Sequence, residues 1–143
     1  MSKKPINNRE VLELYTDGAA RGNPGPAACA FLFVQKEQIL YKESCLIGKA
    51  TNNIAEYQAI IKALKAVEKN FRGIVHLFSD SNLAIQQINN KWKVNYSHLR
   101  QLRNEVVQLC KKYEKVDFFH VGRNNRYIQI CDQLCNARLD AER

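Results

Sequence analysis

The apolar positions of this chain change period several times, and each change marks an element. Residues 12–16, LELYT, alternate apolar and polar side chains and read as a strand. The runs at 27–35 (AACAFLFVQ) and 38–46 (QILYKESCL) are joined by Lys36 and Glu37 alone. They predict a hairpin, and with the first strand an antiparallel meander. Over 53–70 the period lengthens: Ala59, Ile60, Ala63, Leu64 and Val67 recur at helical spacing, with Lys62, Lys65, Glu68 and Lys69 mostly off that stripe. After Gly73, IVHLFS at 74–79 predicts a fourth strand ending at Asp80, and a short helix follows over 82–89. Leu99, Leu102, Val106, Leu109 and Tyr113 mark another helix, 116–121 a fifth strand, and 128–141 a last helix. The order β-β-β-α-β-α-α-β-α predicts an α/β fold: a five-stranded mixed sheet flanked by helices, its later strands parallel to the first.

Residues 1–9 read as a polar, poorly fixed lead-in and 10–143 as a single domain, a size that closes one core. The lead-in has no apolar centre, and no run approaches the ~20 apolar residues of a membrane span. Lys and Arg outnumber Asp and Glu by 22 to 14, a net charge of +8. That surplus fits a polyanionic partner, nucleic acid ahead of an acidic membrane surface, because no basic amphipathic or lipidation signal accompanies it. It equally serves solubility alone. The five cysteines form no CxxC pair and no cluster with histidine, so zinc is not indicated. Cys131 and Cys135, four apart on a helix, are expected to pack. A reduced, cytoplasmic protein is the expectation.

The candidate chemistry lies with four acids. Asp17 and Asp80 each stand where an apolar strand stops, and ligands of open α/β sheets sit outside those strand ends. If the two strands are neighbours, the carboxylates face each other across one crevice; as isolated residues each could simply cap a turn. Directly after Asp17, Gly18, Gly22, Pro24, Gly25 and Pro26 force tight turns that expose backbone N–H groups. Glu56 precedes Ala59, Ile60 and Ala63 by three, four and seven residues, so it heads the apolar stripe of its helix. An unpaired carboxylate there carries a desolvation penalty of roughly several kcal/mol unless a cation or hydrogen bonds offset it. A first-turn acid facing the helix dipole is the plainer alternative. Asp132, expected in the first turn of the last helix, is by itself an ordinary surface acid. Four acids in one crevice would repel one another unless divalent metal neutralised them, and oxygen-only ligands point to Mg²⁺ or Mn²⁺.

TDGAARGNPGPAA, TNNIAEYQAIIKAL and LFSDSNLAIQQI, in this order and followed by an acid in a C-terminal helix, resemble type 1 ribonuclease H over about residues 10–140. The resemblance implies the RNase H-like fold and an endonuclease that cleaves the RNA strand of RNA–DNA hybrids, leaving 5′-phosphate and 3′-hydroxyl ends. Residue by residue, Asp17, Glu56 and Asp80 match the family's metal-binding acids, and Asp132 matches the fourth. Thr51, Asn52 and Asn53 fall where the family contacts the nucleic-acid backbone, and Asn82 where it touches the minor groove. Hybrid selectivity requires reading the 2′-hydroxyl, for which the backbone at Gly18 and Ala19, with Asn52, Asn53 and Asn82, is suited. Two Mg²⁺ or Mn²⁺ ions are expected with substrate bound, Asp17 bridging both.

Two departures stand out. Many members carry a basic helix and loop after the fourth-strand unit. Residues 90–99 are too few for it, so the chain resembles the subgroup lacking that protrusion. Substrate grip would then fall to Lys91, Lys93 and Trp92, the single tryptophan, which could equally fill core. Some relatives place a mobile His before the fourth acid; here the loop reads GRNNRY, and Arg123 matches the Arg of short-loop members. It would stabilise phosphate charge or aid product release. His120 is expected to be structural. The expected agent is a free-standing monomeric hybrid nuclease. The alternatives are a catalytically silent binding module, a nuclease also cutting double-stranded RNA, and a piece of a reverse transcriptase.

Overall fold

The computed structural model describes residues 3–142; Met1, Ser2 and Arg143, the ends of the expected lead-in and domain, lie outside the described residues. The elements follow the expected order: β1 (Leu12–Ala20), β2 (Gly25–Gln35), β3 (Gln38–Ala50), α1 (Asn52–Ala66), β4 (Ile74–Ser79), α2 (Asn82–Ile88), α3 (Ser97–Cys110), β5 (Lys115–His120) and α4 (Arg126–Ala141). One sheet carries all five strands in the order β3-β2-β1-β4-β5. β1, β2 and β3 pair antiparallel, while β4 runs parallel to β1 and β5 parallel to β4.

Strand alternation sorts the side chains onto two faces. Leu12, Leu14, Phe31, Phe33 and Leu77 go to one face, where Tyr57, Ile60 and Leu64 of α1 and Leu102 and Val106 of α3 cover them. Tyr15, Ala28, Ala30, Leu32 and Val34 go to the other, against Ile128, Cys131, Cys135 and Leu139 of α4. The small Ala28 and Ala30 let α4 lie close to the strands. The Cys131 thiol accordingly reaches the Tyr15 carbonyl at 3.5 Å and the Cys135 thiol the Asp17 carbonyl at 3.6 Å. Both cysteines pack, as their spacing predicts.

Several boundaries differ from the sequence pattern, each for a tertiary reason. β1 does not stop before Asp17 but continues to Ala20, because β2 stays paired with it as far as Ala20↔Ala27. β3 outruns its expected end at 46 by pairing with β2 to Gly25↔Ala50, past a bulge at Ala27/Ala28. It turns at Gly48, whose φ of 77° suits a residue without Cβ. α1 ends at Ala66 instead of 70, where Val67 adopts extended backbone. Phe71 then turns back into the core. Tyr113 lies beyond α3, buried, its hydroxyl donating to the Leu64 carbonyl at 2.8 Å. The lead-in is tied down: the Lys4 N–H donates to the Leu40 carbonyl at 2.8 Å, and Asn7 exchanges 2.9 Å hydrogen bonds with the Gln35 side chain. His120 is exposed at the end of β5 and packs no core.

Candidate active site

The two neighbours of β1 end their pairing at different places, and that difference makes the site. β4 pairs with β1 only to Thr16↔Ser79, whereas β2 continues for four more residues of β1, Asp17 to Ala20. From Asp17 onward the β4 side of β1 is therefore open. Asp17 stands at this fork inside the strand, not at its end, and only 5% of it is exposed. Asp80 is the first residue after β4, so the chain must leave the sheet there, beside the fork.

α1 supplies the third acid. It starts at a Thr51 cap, whose hydroxyl oxygen accepts the Ile54 N–H at 3.2 Å, and packs tightly over β1. A Cβ on Gly18 would stand 2.2 Å from the backbone C and O of Ala55, so only glycine allows this approach. The Gly18 N–H then donates to Glu56 Oε1 at 2.8 Å, aiming the carboxylate at the fork. The Glu56 position at the head of the apolar stripe is thus explained by a hydrogen bond inside the crevice. A surface cap would have left it facing water.

Asp17, Glu56 and Asp80 each place a carboxylate oxygen within 4.8 Å of the others'. Burial pushes Asp17 up to about 8, helped by the charges of Asp80 and Asp132, against the lowering effect of the Gly18 N–H. Glu56 is driven well above its ordinary value for the same reasons: burial first, then Asp17 and Asp80. Asp80 Oδ1 is buried with no hydrogen-bond partner among the described residues, while its Oδ2 lies 3.7 Å from Arg123 Nε. Orphaned carboxylate oxygen, crowded like charges and an all-oxygen donor set are what a hard divalent cation relieves. The residues present fit one.

The acids line a pocket of about 400 Å³ shared with Gly18, Ala19, Asn52, Asn53, Arg123 and Asp132. Asp132 is outside the tight trio. It sits on the exposed side of α4, in the second turn, because Asn125 caps the helix by accepting the Tyr127 and Ile128 N–H groups and starts it earlier than expected. Its charge is nevertheless felt at Asp17. Asn52 accepts the Ala20 N–H at 2.9 Å and donates its own N–H to Asn23 at 3.0 Å, which locks the β1 turn to the start of α1. Thr51, Asn82 and Trp92 do not line the pocket: Thr51 caps α1, and Asn82 accepts from Gln86 at 3.2 Å. Trp92 is 47% exposed after α2, so core filling is set aside.

Three pocket neighbours escape a reading of the sequence. Ser81 caps α2 through a 3.2 Å bond from Ala84, Gln129 lies one turn before Asp132, and Asn23 acts behind Asn52. The spacing Gln129/Asp132 was the one available signal, since residues three apart share a helix face.

Known proteins resemble this chain in sequence and in fold. A family profile described as reverse transcriptase-like matches residues 15–137. Ribonuclease H of Helicobacter pylori is 32% identical over 145 residues, 94% of this chain and 95% of that protein. The chain belongs to the ribonuclease H family. Ribonuclease HI of Halobacterium salinarum is 37% identical over 127 residues, 88% of this chain. The chain spans 63% of that relative's length and 34% of a matched bifunctional protein of Mycobacterium tuberculosis. Among solved structures, RNase H1 of Halobacterium salinarum superposes with a TM-score of 0.86 at 36% identity, covering 92% of this chain and 98% of that one. LC11-RNase H1, solved in complex with an RNA/DNA hybrid, gives 0.80 at 29% identity, covering 92% and 98%. These RNase H1 structures share this fold over 92% of the chain, and the three acids of this member meet at the fork of its sheet.

Proposed function

We propose that this chain is a divalent-metal-dependent endonuclease that hydrolyses the RNA strand of RNA–DNA hybrids, leaving 5′-phosphate and 3′-hydroxyl ends. The observation that carries the proposal is the trio Asp17, Glu56 and Asp80, drawn from β1, α1 and the end of β4 to within 4.8 Å. Folding crowds these buried charges together against their own repulsion, which suits a site built to receive cations. A silent binding module would gain nothing from that arrangement.

Asp17, Glu56 and Asp80 would hold Mg²⁺ or Mn²⁺, and Asp132 across the pocket would help hold a second ion. The chemistry two such ions supply when bound is an activated water for in-line attack and stabilisation of the leaving 3′ oxygen. The remaining roles fall to the protein. The Gly18–Ala19 backbone and the Asn52 and Asn53 amides border the acids. They position the sugar edge and read the 2′-hydroxyl. Asn52 already uses its side-chain oxygen on Ala20, so its amide N–H₂ acts as the donor. Arg123, 93% exposed at the mouth, meets phosphate charge. Exposed Trp92, with Lys91 and Lys93, and Asn82 contact the hybrid farther out, and affinity falls with added salt. The enzyme acts as a cytoplasmic monomer.

The test incubates labelled RNA–DNA hybrid, double-stranded RNA and double-stranded DNA with the protein and Mg²⁺, Mn²⁺ or a chelator. The expected result is cleavage of the RNA in the hybrid, lost on chelation, with DNA untouched. A hybrid left intact in both metals would overturn the proposal, and cutting of double-stranded RNA would broaden the substrate.

A further inference from the structure

Away from the acids, two thiols face each other across the sheet. Cys29 on β2 and Cys45 on β3 are direct partners in the antiparallel register, and their Sγ atoms stand 3.4 Å apart. Opposed residues of antiparallel strands have Cα atoms about 4.5–5.5 Å apart, inside the range a disulfide spans. Cys29 is buried behind the pair, while Cys45 is half-buried and reachable from solvent. We propose that Cys29 and Cys45 form a reversible oxidation site, at which a hydroperoxide converts the facing thiols to a disulfide joining β2 to β3.

The division of labour follows from the surroundings. Either thiol can donate in the hydrogen bond they share; Cys45 is the more exposed, and with Cys29 donating and Lys62 and Arg138 adding positive charge it is lowered to about 6 against burial and Glu43. Cys29 moves the opposite way, held protonated by the same hydrogen bond and by burial. Cys45 is therefore the attacking thiolate and Cys29 the resolving thiol. The other three cysteines are unsuited to the first step: burial raises Cys110 to about 11 and drives Cys131 and Cys135 upward as well.

With hydrogen peroxide the step balances as follows. The Cys45 thiolate attacks one peroxide oxygen, the O–O bond breaks, hydroxide leaves, and Cys45 becomes a sulfenic acid. The Cys29 sulfur then attacks the Cys45 sulfur, the S–O bond breaks, and water leaves with the Cys29 proton. Two thiols lose two electrons and the peroxide ends as two waters, the hydroxide recovering the proton Cys45 gave up. The link lies one strand from the metal pocket: Cys29 pairs with Gly18, whose N–H holds Glu56.

Native protein treated with hydrogen peroxide, quenched, denatured and titrated with a thiol reagent should fall from the five thiols of the sequence to three, and dithiothreitol should restore five. Peptide mapping should show one cross-link, Cys29 to Cys45. Cys29→Ala should stop at a Cys45 sulfenic acid trapped by dimedone, and Cys45→Ala should keep its thiols over the same exposure. Wild-type protein that retains all five thiols, or joins another pair such as Cys131 and Cys135, overturns the proposal. The wild-type map decides the matter even where a variant folds poorly.

Discussion

Asp17→Asn should abolish hybrid cleavage while making the metal-free protein harder to unfold. The two effects share one cause. Asp17 is buried at the fork with Asp80 and Asp132 acting on it, and its carboxyl group is kept there at the expense of folding. Asparagine keeps nearly the same shape and is neutral without a proton, so the cost of either ionising or protonating the buried carboxyl group disappears. Metal ions contribute several kcal/mol of transition-state stabilisation in such sites, and each 1.36 kcal/mol is tenfold in rate. The expected loss of turnover is at least about a thousandfold. Thermal unfolding in the presence of a chelator near pH 8 should show a higher midpoint for Asp17→Asn than for wild type. Turnover within about tenfold of wild type would remove Asp17 from the mechanism. An unchanged or lower midpoint would mean that its burial is not strained.

The metal-free protein should also lose stability as pH rises. For Asp17 the folded value, about 8, exceeds the ordinary 3.8, so between them the folded chain binds more protons than the unfolded one. Stability from that proton is complete below the ordinary value and is lost as pH climbs through about 8. Glu56, raised for the same causes, acts in the same direction. Metal and proton compete for the carboxylates, so divalent ions should stabilise most at the alkaline end. At a hundred times its dissociation constant a ligand adds about 2.7 kcal/mol, roughly 8 °C in Tm for a domain of this size. Scans in chelator from about pH 4 to pH 8, repeated with Mg²⁺, should show a falling midpoint that the metal restores near pH 8 and barely moves near pH 4. Asp17→Asn should flatten both trends.

The order of elements was legible because apolar periodicity is a local property: LELYT, AACAFLFVQ and the Ala59/Ile60/Ala63/Leu64 stripe each declare their own geometry. The three close acids were legible partly from the residues and partly from the motifs around them. Glu56 stood out through its place on an apolar stripe, whereas Asp17 and Asp80 each had an ordinary capping explanation. What stayed hidden was non-local. That Asp17 lies inside β1 depends on β2 holding on after β4 has left, which nothing in LELYTDGAA states. The turn in which Asp132 falls depends on which residue of GRNNRY caps α4, and Asn124 and Asn125 look alike until the chain is folded. One aromatic among lysines carries no period, so the pattern leaves Trp92 open between core filling and substrate contact. The Cys29–Cys45 pairing needs the register of the hairpin, shifted by bulges that hydrophobic pattern does not reveal.

Crystals soaked in Mn²⁺ test directly whether folding has gathered carboxylates into a pocket that cations make tolerable. Anomalous scattering from manganese is expected among the Asp17, Glu56 and Asp80 oxygens, and none in Asp17→Asn crystals soaked alike. Wild-type crystals with no manganese peak among those three carboxylates would contradict it.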